Sequence, residues 1–211
     1  MTLPRFIKSE ENFQELRAIL KLQTCPHCRR IGTLNSHGHL RGYPELGGGK
    51  GDEFRGRRLF CSNRRRRKPG CGRTVGLWFS NILPNFIIRL QTLWLFLTGI
   101  LAGLAKADAF RRASSTQHPM SAYRIFRRME DSQSRIRACL SRLVPPPEAP
   151  KSPAPLAATL AHLEAAFPHA RCPPDAYQLH FQESFFRRKR VSFQHPVSRV
   201  PIERHQEFSR N

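Results

Sequence analysis

Four cysteines constrain this chain more than any other feature. Cys25-Pro26-His27-Cys28 is a tight CxxC turn, and Cys61 and Cys71 form a second pair across the stretch from Ser62 to Gly70. Two residues between ligands let one turn aim both sulfurs at a single ion. Paired cysteines with glycines and β-prone residues between the pairs therefore outline a small metal-bound ribbon. The second pair departs from that spacing, because nine residues separate Cys61 from Cys71. The insertion holds Arg64, Arg65, Arg66, Arg67 and Lys68. The expected ligand set is Cys25, Cys28, Cys61 and Cys71, holding one structural Zn2+ per chain with no open position for water. His27, His37 and His39 are alternative ligands, and a chain without metal is the remaining alternative.

The residues around these cysteines carry a likeness. Cys25-Pro26-His27-Cys28, Ile31-Gly32-Thr33-Leu34 with His37-Gly38, Arg58-Leu59-Phe60-Cys61-Ser62-Asn63 and Gly70-Cys71-Gly72-Arg73-Thr74 resemble the zinc-ribbon heads of bacterial insertion-sequence transposases and their stand-alone relatives. The likeness covers residues 25 to about 144. It implies a last ribbon strand starting at the Cys-Gly-Arg-Thr corner and a helix-turn-helix after it. It also implies duplex DNA as partner, with a full-length transposase or a second copy of the chain as further partners, in a nucleoid-associated cytoplasmic setting. It specifies no chemistry.

Charge points the same way. The chain has 36 Lys+Arg against 15 Asp+Glu, a net charge of +21 and a pI near 11.3, so its surface needs a polyanion, of which nucleic acid is the commonest. The excess is +11 over residues 1–80 (17 basic, 6 acidic), +7 over 81–144 (10 and 3) and +3 over 145–211 (9 and 6). The binding surface is therefore expected in the first two thirds. Arginine supplies most of it, and its planar fork suits phosphate and guanine edges. The N-terminus Met1-Thr2-Leu3-Pro4-Arg5 has no secretory pattern, which predicts an intracellular protein with reduced thiols. Cys139 and Cys172 read as small buried hydrophobes.

The expected fold is α+β. Residues 1–80 would hold an N-terminal helix over Ser9 to Leu22, capped by Ser9, and the ribbon, with strands near Thr33–Leu34, Leu40–Tyr43, Arg57–Phe60 and Thr74–Phe79. Leu46-Gly47-Gly48-Gly49-Lys50-Gly51 reads as a hairpin tip. Residues 81–144 would form a helical domain of helix-turn-helix type. Leu83, Ile87, Leu90, Trp94, Leu97, Leu101 and Leu104 would share one face of a core helix over 82–105. A second helix would run from Lys106 to Ala113, a break follow at Ser114 to Pro119, and a third begin at Ser121 with Tyr123, Phe126 and Met129 inward. Asp131-Ser132 would cap a fourth. A Pro-rich linker over 145–155, short docking helices over 156–186 and a basic disordered tail over 187–211 complete the chain.

The nucleic-acid-binding residues expected are Arg64, Arg65, Arg66, Arg67, Lys68 and Arg73 from the ribbon, and Arg111, Arg112, Arg124, Arg127, Arg128 and Arg135 from the helices. The first group would grip phosphate and the Arg124 to Arg128 segment would read base edges. No carboxylate constellation stands out in the 67 residues after residue 144, so a binding rather than catalytic role is expected. Two other function classes fit the charge. An RNA-binding ribbon is disfavoured by an expected lack of exposed strand aromatics for base stacking. A membrane protein anchored by residues 82–105 is disfavoured by an uncharged run of only 16 residues, from Leu90 to Ala105.

Overall fold

The computed structural model describes residues 3–45, 52–62, 70–114, 120–148 and 154–186. The expected hairpin tip at 46–51, the arginine run at 64–68, most of the break at 114–119, the middle of the linker and the tail from 187 lie outside the described residues.

The chain is α+β, as its pattern implies. Ser9 sits in extended backbone with its hydroxyl accepting the Asn12 N–H at 3.3 Å, and this starts α1 (Glu10–Leu22). Phe13 and Leu20 on one face of α1 bury against Ile7, Leu34, Leu59 and Leu77 of the sheet, giving the ribbon its small core. The sheet has the order β1 (Phe6–Ile7), β4 (Thr74–Phe79), β3 (Glu53–Cys61), β2 (Leu34–Gly42), with β1 parallel to β4 and the other pairs antiparallel.

Two features of the sheet were not expected. The two strands anticipated between Thr33 and Tyr43 are one strand, β2, whose register shifts at Ser36/His39 and at Leu40/Arg41. Bulges of this kind interrupt the alternation by which a strand is read, which makes one bent strand look like two. The other feature is β1, whose two residues are too few to show a period; both are 1% exposed.

Arg55 has no paired partner on β2 and turns inward, donating to the carbonyls of Phe86 and Ile87 at 2.6 and 2.8 Å. Gly42 leaves room for it, since a Cβ there would stand 2.6 Å from Arg55 Cδ. Glu45 accepts the Arg89 N–H at 3.0 Å, and Glu53 pairs with the Arg89 guanidinium. These contacts fix the ribbon to the start of the helical part.

The helix expected over 82–105 starts only at Leu90, as α2 (Leu90–Leu101). Residues before it turn back, with Ile82 bridged to Arg89 and Asn85 left-handed at φ 69° just after Pro84. Leu83 is buried from that turn, while Ile87 and Leu101 are 39% and 43% exposed, so the expected face does not exist as one stripe. No described helix is long and apolar enough to cross a membrane.

α3 (Lys106–Ala113) falls where expected, but the third and fourth helices are one, α4 (Met120–Leu140). Ser132 caps nothing: its hydroxyl donates back to the Arg128 carbonyl at 2.8 Å within the continuous helix. Ala122, Ile125, Met129 and Ile136 face the core, while Tyr123, expected inward, is 53% exposed. Phe126 is partly buried beneath the Lys106 ammonium, 3.9 Å from its ring centre.

α5 (Pro155–Ala166) and α6 (Pro173–Phe181) each begin with proline in the first turn, where its missing N–H costs nothing. Leu156, Leu160, Leu163, Tyr177, Phe185 and Phe186 join the core of α2, α3 and α4, so the docking helices dock on this chain. Two glutamines then tie the helical part to the sheet. Gln178 donates to the carbonyls of Ser80 and Ile82, and Gln182 accepts the N–H groups of Arg5 and Phe6.

Candidate metal centre

The ribbon brings Cys25, Cys28, Cys61 and Cys71 together with all four sulfurs within 4.8 Å of one another. Four sulfurs bound tetrahedrally at about 2.3 Å from one ion stand about 3.8 Å apart. Cys25 and Cys71 are 3.8 Å apart, and Cys28 and Cys61 3.6 Å. The cluster is compatible with a single metal ion. None of the three histidine alternatives belongs to it. His37 packs on Phe60 and His39 on Phe54, with ring centres 5.1 and 4.5 Å apart, and His27 is exposed on the first turn.

Backbone geometry aims each pair. At the first, the Cys25 N–H donates to Arg30 O and its carbonyl accepts from Arg29 N–H, closing a turn that holds Arg29 left-handed at φ 62°. The backbone N–H groups of His27 and Cys28 lie on the side of the Cys25 sulfur and favour its ionised form. The second pair reproduces this arrangement despite its long insertion. Cys61 N–H donates to Arg73 O, Gly72 N–H donates to Cys61 O, and Cys71 N–H points at the Cys61 sulfur at 3.4 Å. Gly70 is required here, because a Cβ would sit 2.8 Å from Cys61 Sγ and closer still to its carbonyl. Gly72, left-handed at φ 70°, completes the corner. Gly70, Cys71 and Gly72 make the turn that brings the chain back onto Cys61.

The sulfurs differ in how readily they ionise. Burial dominates at Cys25 and pushes its thiol up to about 11 despite the two N–H donors. Burial opposes ionisation at Cys61 too, but the Thr33 hydroxyl, 3.1 Å from Sγ, outweighs it together with the Cys71 N–H and the neighbouring thiols. The thiol falls to about 7. A buried sulfur that accepts from the Thr33 hydroxyl and the Cys71 N–H, with three other sulfurs within 4.8 Å, suits the thiolate form that binds metal. Thr33 is a supporting residue that spacing arguments miss, because its role depends on β2 pairing Leu34 with Cys61. Cys139 is buried and Cys172 partly so; burial raises the Cys172 thiol to about 11, in keeping with small unreactive hydrophobes.

The expected basic residues fall into separate groups. Arg73 is exposed beside the centre. Arg111 and Arg112 are exposed in the last turn of α3, Arg111 paired with Asp108 at 2.7 Å. Arg124 and Arg127 are exposed on α4 opposite its core face, and Arg128 is partly buried. Arg135 is different. Its guanidinium donates to Glu183 at 2.7 Å and to the Ser184 and Phe185 carbonyls at 2.8 Å, which spends it inside the fold. Helical spacing alone placed Arg135 on a solvent face. What it missed was the segment after α6 crossing over that face.

No known protein family, curated protein or solved structure matches the chain. The site is therefore read from its own residues. One expectation is corrected by them: exposed aromatics do occur beside the strands. Phe54 on β3 is 52% exposed with the Arg41 guanidinium 5.1 Å from its ring centre, and Tyr43, just past β2, is 74% exposed. Single aromatics among polar residues give no strand period, so the sequence pattern does not reveal them.

Proposed function

We propose that the protein binds double-stranded DNA, with low to moderate sequence specificity, in an accessory or regulatory rather than catalytic role. One observation carries this reading. Cys61 and Cys71, which bracket Arg64, Arg65, Arg66, Arg67 and Lys68, both belong to the sulfur cluster. A metal there anchors both ends of the most basic stretch of the sequence, so part of its ordering entropy is met before DNA arrives. An all-sulfur tetrahedral set suits Zn2+, and four protein ligands leave it structural. Arg73 extends the phosphate grip, and Arg124, Arg127 and Arg128 stand on a helix whose buried face fixes their direction. The cysteine and glycine pattern supports a mobile-element origin, in the manner of the zinc-ribbon head of a transposase.

The test is duplex affinity measured against salt. Replacing Arg64, Arg65, Arg66 and Arg67 together by alanine should weaken binding to every sequence alike and flatten the slope of log affinity on log salt, by about 0.9 for each phosphate that is no longer neutralised. Arg124→Ala should instead lower discrimination between sequences. An unchanged slope in the fourfold variant removes the reading. The exposed Phe54 and Tyr43 favour RNA as a second reading, and tighter binding of single-stranded RNA than of duplex in the same assay would establish it.

A further inference from the structure

We propose that a cleft beside the metal centre is a binding site for an unpaired nucleotide of a nucleic-acid strand. The cleft has a volume of about 630 Å3 and lies between three segments. Its floor is β4 from Thr74 to Trp78, one wall is Leu3 to Arg5, and the other is the first cysteine turn from Thr24 to Arg29. This size is ordinary for a small-molecule site.

The cleft exists because β1 is short. Trp78 and Ser80 donate their N–H groups to the carbonyls of Arg5 and Ile7, at 2.9 and 2.8 Å. By the alternation of a strand, Gly76 and Thr74 turn their backbone groups to the same edge, beyond the end of β1. That edge offers a donor and an acceptor to a ligand. Gly76 also keeps the floor low beside the indole, since a Cβ there would lie 3.5 Å from Trp78 Nε1 and 3.2 Å from Leu40 Cδ1.

The lining selects the ligand class. Trp78 supplies an aromatic surface, the β4 edge at Gly76 supplies backbone hydrogen-bonding groups, and His27 and Arg29 supply positive or proton-donating groups around the mouth. A base stacked on an aromatic with its phosphate on arginine uses all three. The phosphate lies at the exposed rim, on Arg29 and His27, while the base faces Trp78. A blunt duplex keeps its bases stacked and paired and cannot fill the cleft, so this site goes beyond duplex binding and is separable from it.

The test compares labelled oligothymidylate with a blunt duplex on the full chain, by fluorescence anisotropy at low salt. Trp78→Ala should weaken oligothymidylate binding about tenfold or more and duplex binding less than twofold. Arg29→Asn removes the charge while keeping a residue that accepts the left-handed turn, so the cysteine turn stays intact. It should weaken oligothymidylate about fivefold. Metal content equal to that of the wild type shows that each variant is folded; if Trp78→Ala fails this check, Arg29→Asn decides alone. Unchanged oligothymidylate affinity in the folded variants, or losses equal for oligothymidylate and duplex, would overturn the proposal. So would thymidine monophosphate binding as tightly as the oligonucleotide, since the site would then belong to a free nucleotide. Loss of duplex binding in the fourfold arginine variant leaves these comparisons unaffected.

Discussion

Around the sheet, the described cluster beneath α1 consists of eight buried residues, and two of them are the candidate ligands Cys25 and Cys61. Around the helices it consists of twenty-one, centred on Phe96, Phe110, Tyr177 and Phe185. The contrast separates two ways of holding a fold. The helical core buries enough apolar surface to stand on packing, with edge-to-face contacts such as Phe96 on Phe110 at 5.2 Å between ring centres. The six apolar side chains of that cluster, with Phe6 and Leu40 buried beside it, are too few for that, and a region this small needs a staple. The four sulfurs are placed to supply it.

Chelation should break this comparison most visibly. Removing the metal with a strong chelator under reducing conditions is expected to unfold the ribbon, because the binding free energy of a structural ion is folding free energy, on the order of 10 kcal/mol. The helical part should keep its far-ultraviolet circular dichroism and a cooperative thermal transition. Simultaneous loss of both signals would show one cooperative unit instead of two.

An effect of intermediate size is expected on the other side. Arg135→Ala strips donors from the Ser184 and Phe185 carbonyls and from Glu183, costing about 2 kcal/mol in denaturant unfolding of the helical part. Metal content should not change. A variant that lost metal as well would show that the ribbon leans on the helical core.

The smallest effect concerns Glu10, whose carboxyl the Arg57 guanidinium holds below the ordinary carboxylate range by direct hydrogen bonding. A lowered folded pKa means that the stabilisation is present above the unfolded value and is lost as pH falls through the folded one. Wild type should therefore exceed Glu10→Gln in stability at neutral pH by under about 1 kcal/mol, since the pair is partly exposed, with the difference vanishing in acid. A difference that grew in acid would contradict this assignment.

Much of this was legible in the sequence because it rests on local rules. Ser9 with Glu10 and Glu11 marks a helix start, and the cysteine pairs mark the centre. The missed features depend on residues far apart in the chain. Asp131-Ser132 looks like a cap, but α4 runs through it, with Ser132 buried and its hydroxyl on the Arg128 carbonyl. Leu83 to Leu104 looks like one stripe, but Pro84 and the left-handed Asn85 turn the chain before α2 begins. Arg135 looks solvated until the segment after α6 covers it. At the centre itself, the four clustered cysteines were legible from spacing, whereas Thr33 and the cleft beside Trp78 required the pairing of β2 with β3 and the early end of β1.

The central claim is that one ion, held by four cysteines, organises the ribbon and anchors the arginine-rich insertion. Metal stoichiometry by elemental analysis of untagged protein purified under reducing conditions tests it most directly, on the wild type and on single Cys→Ser variants. The account predicts one zinc per chain, lost in Cys61→Ser and Cys71→Ser and kept in Cys139→Ser and Cys172→Ser. A wild type without bound metal, or a Cys71→Ser variant that keeps its full complement, would contradict it.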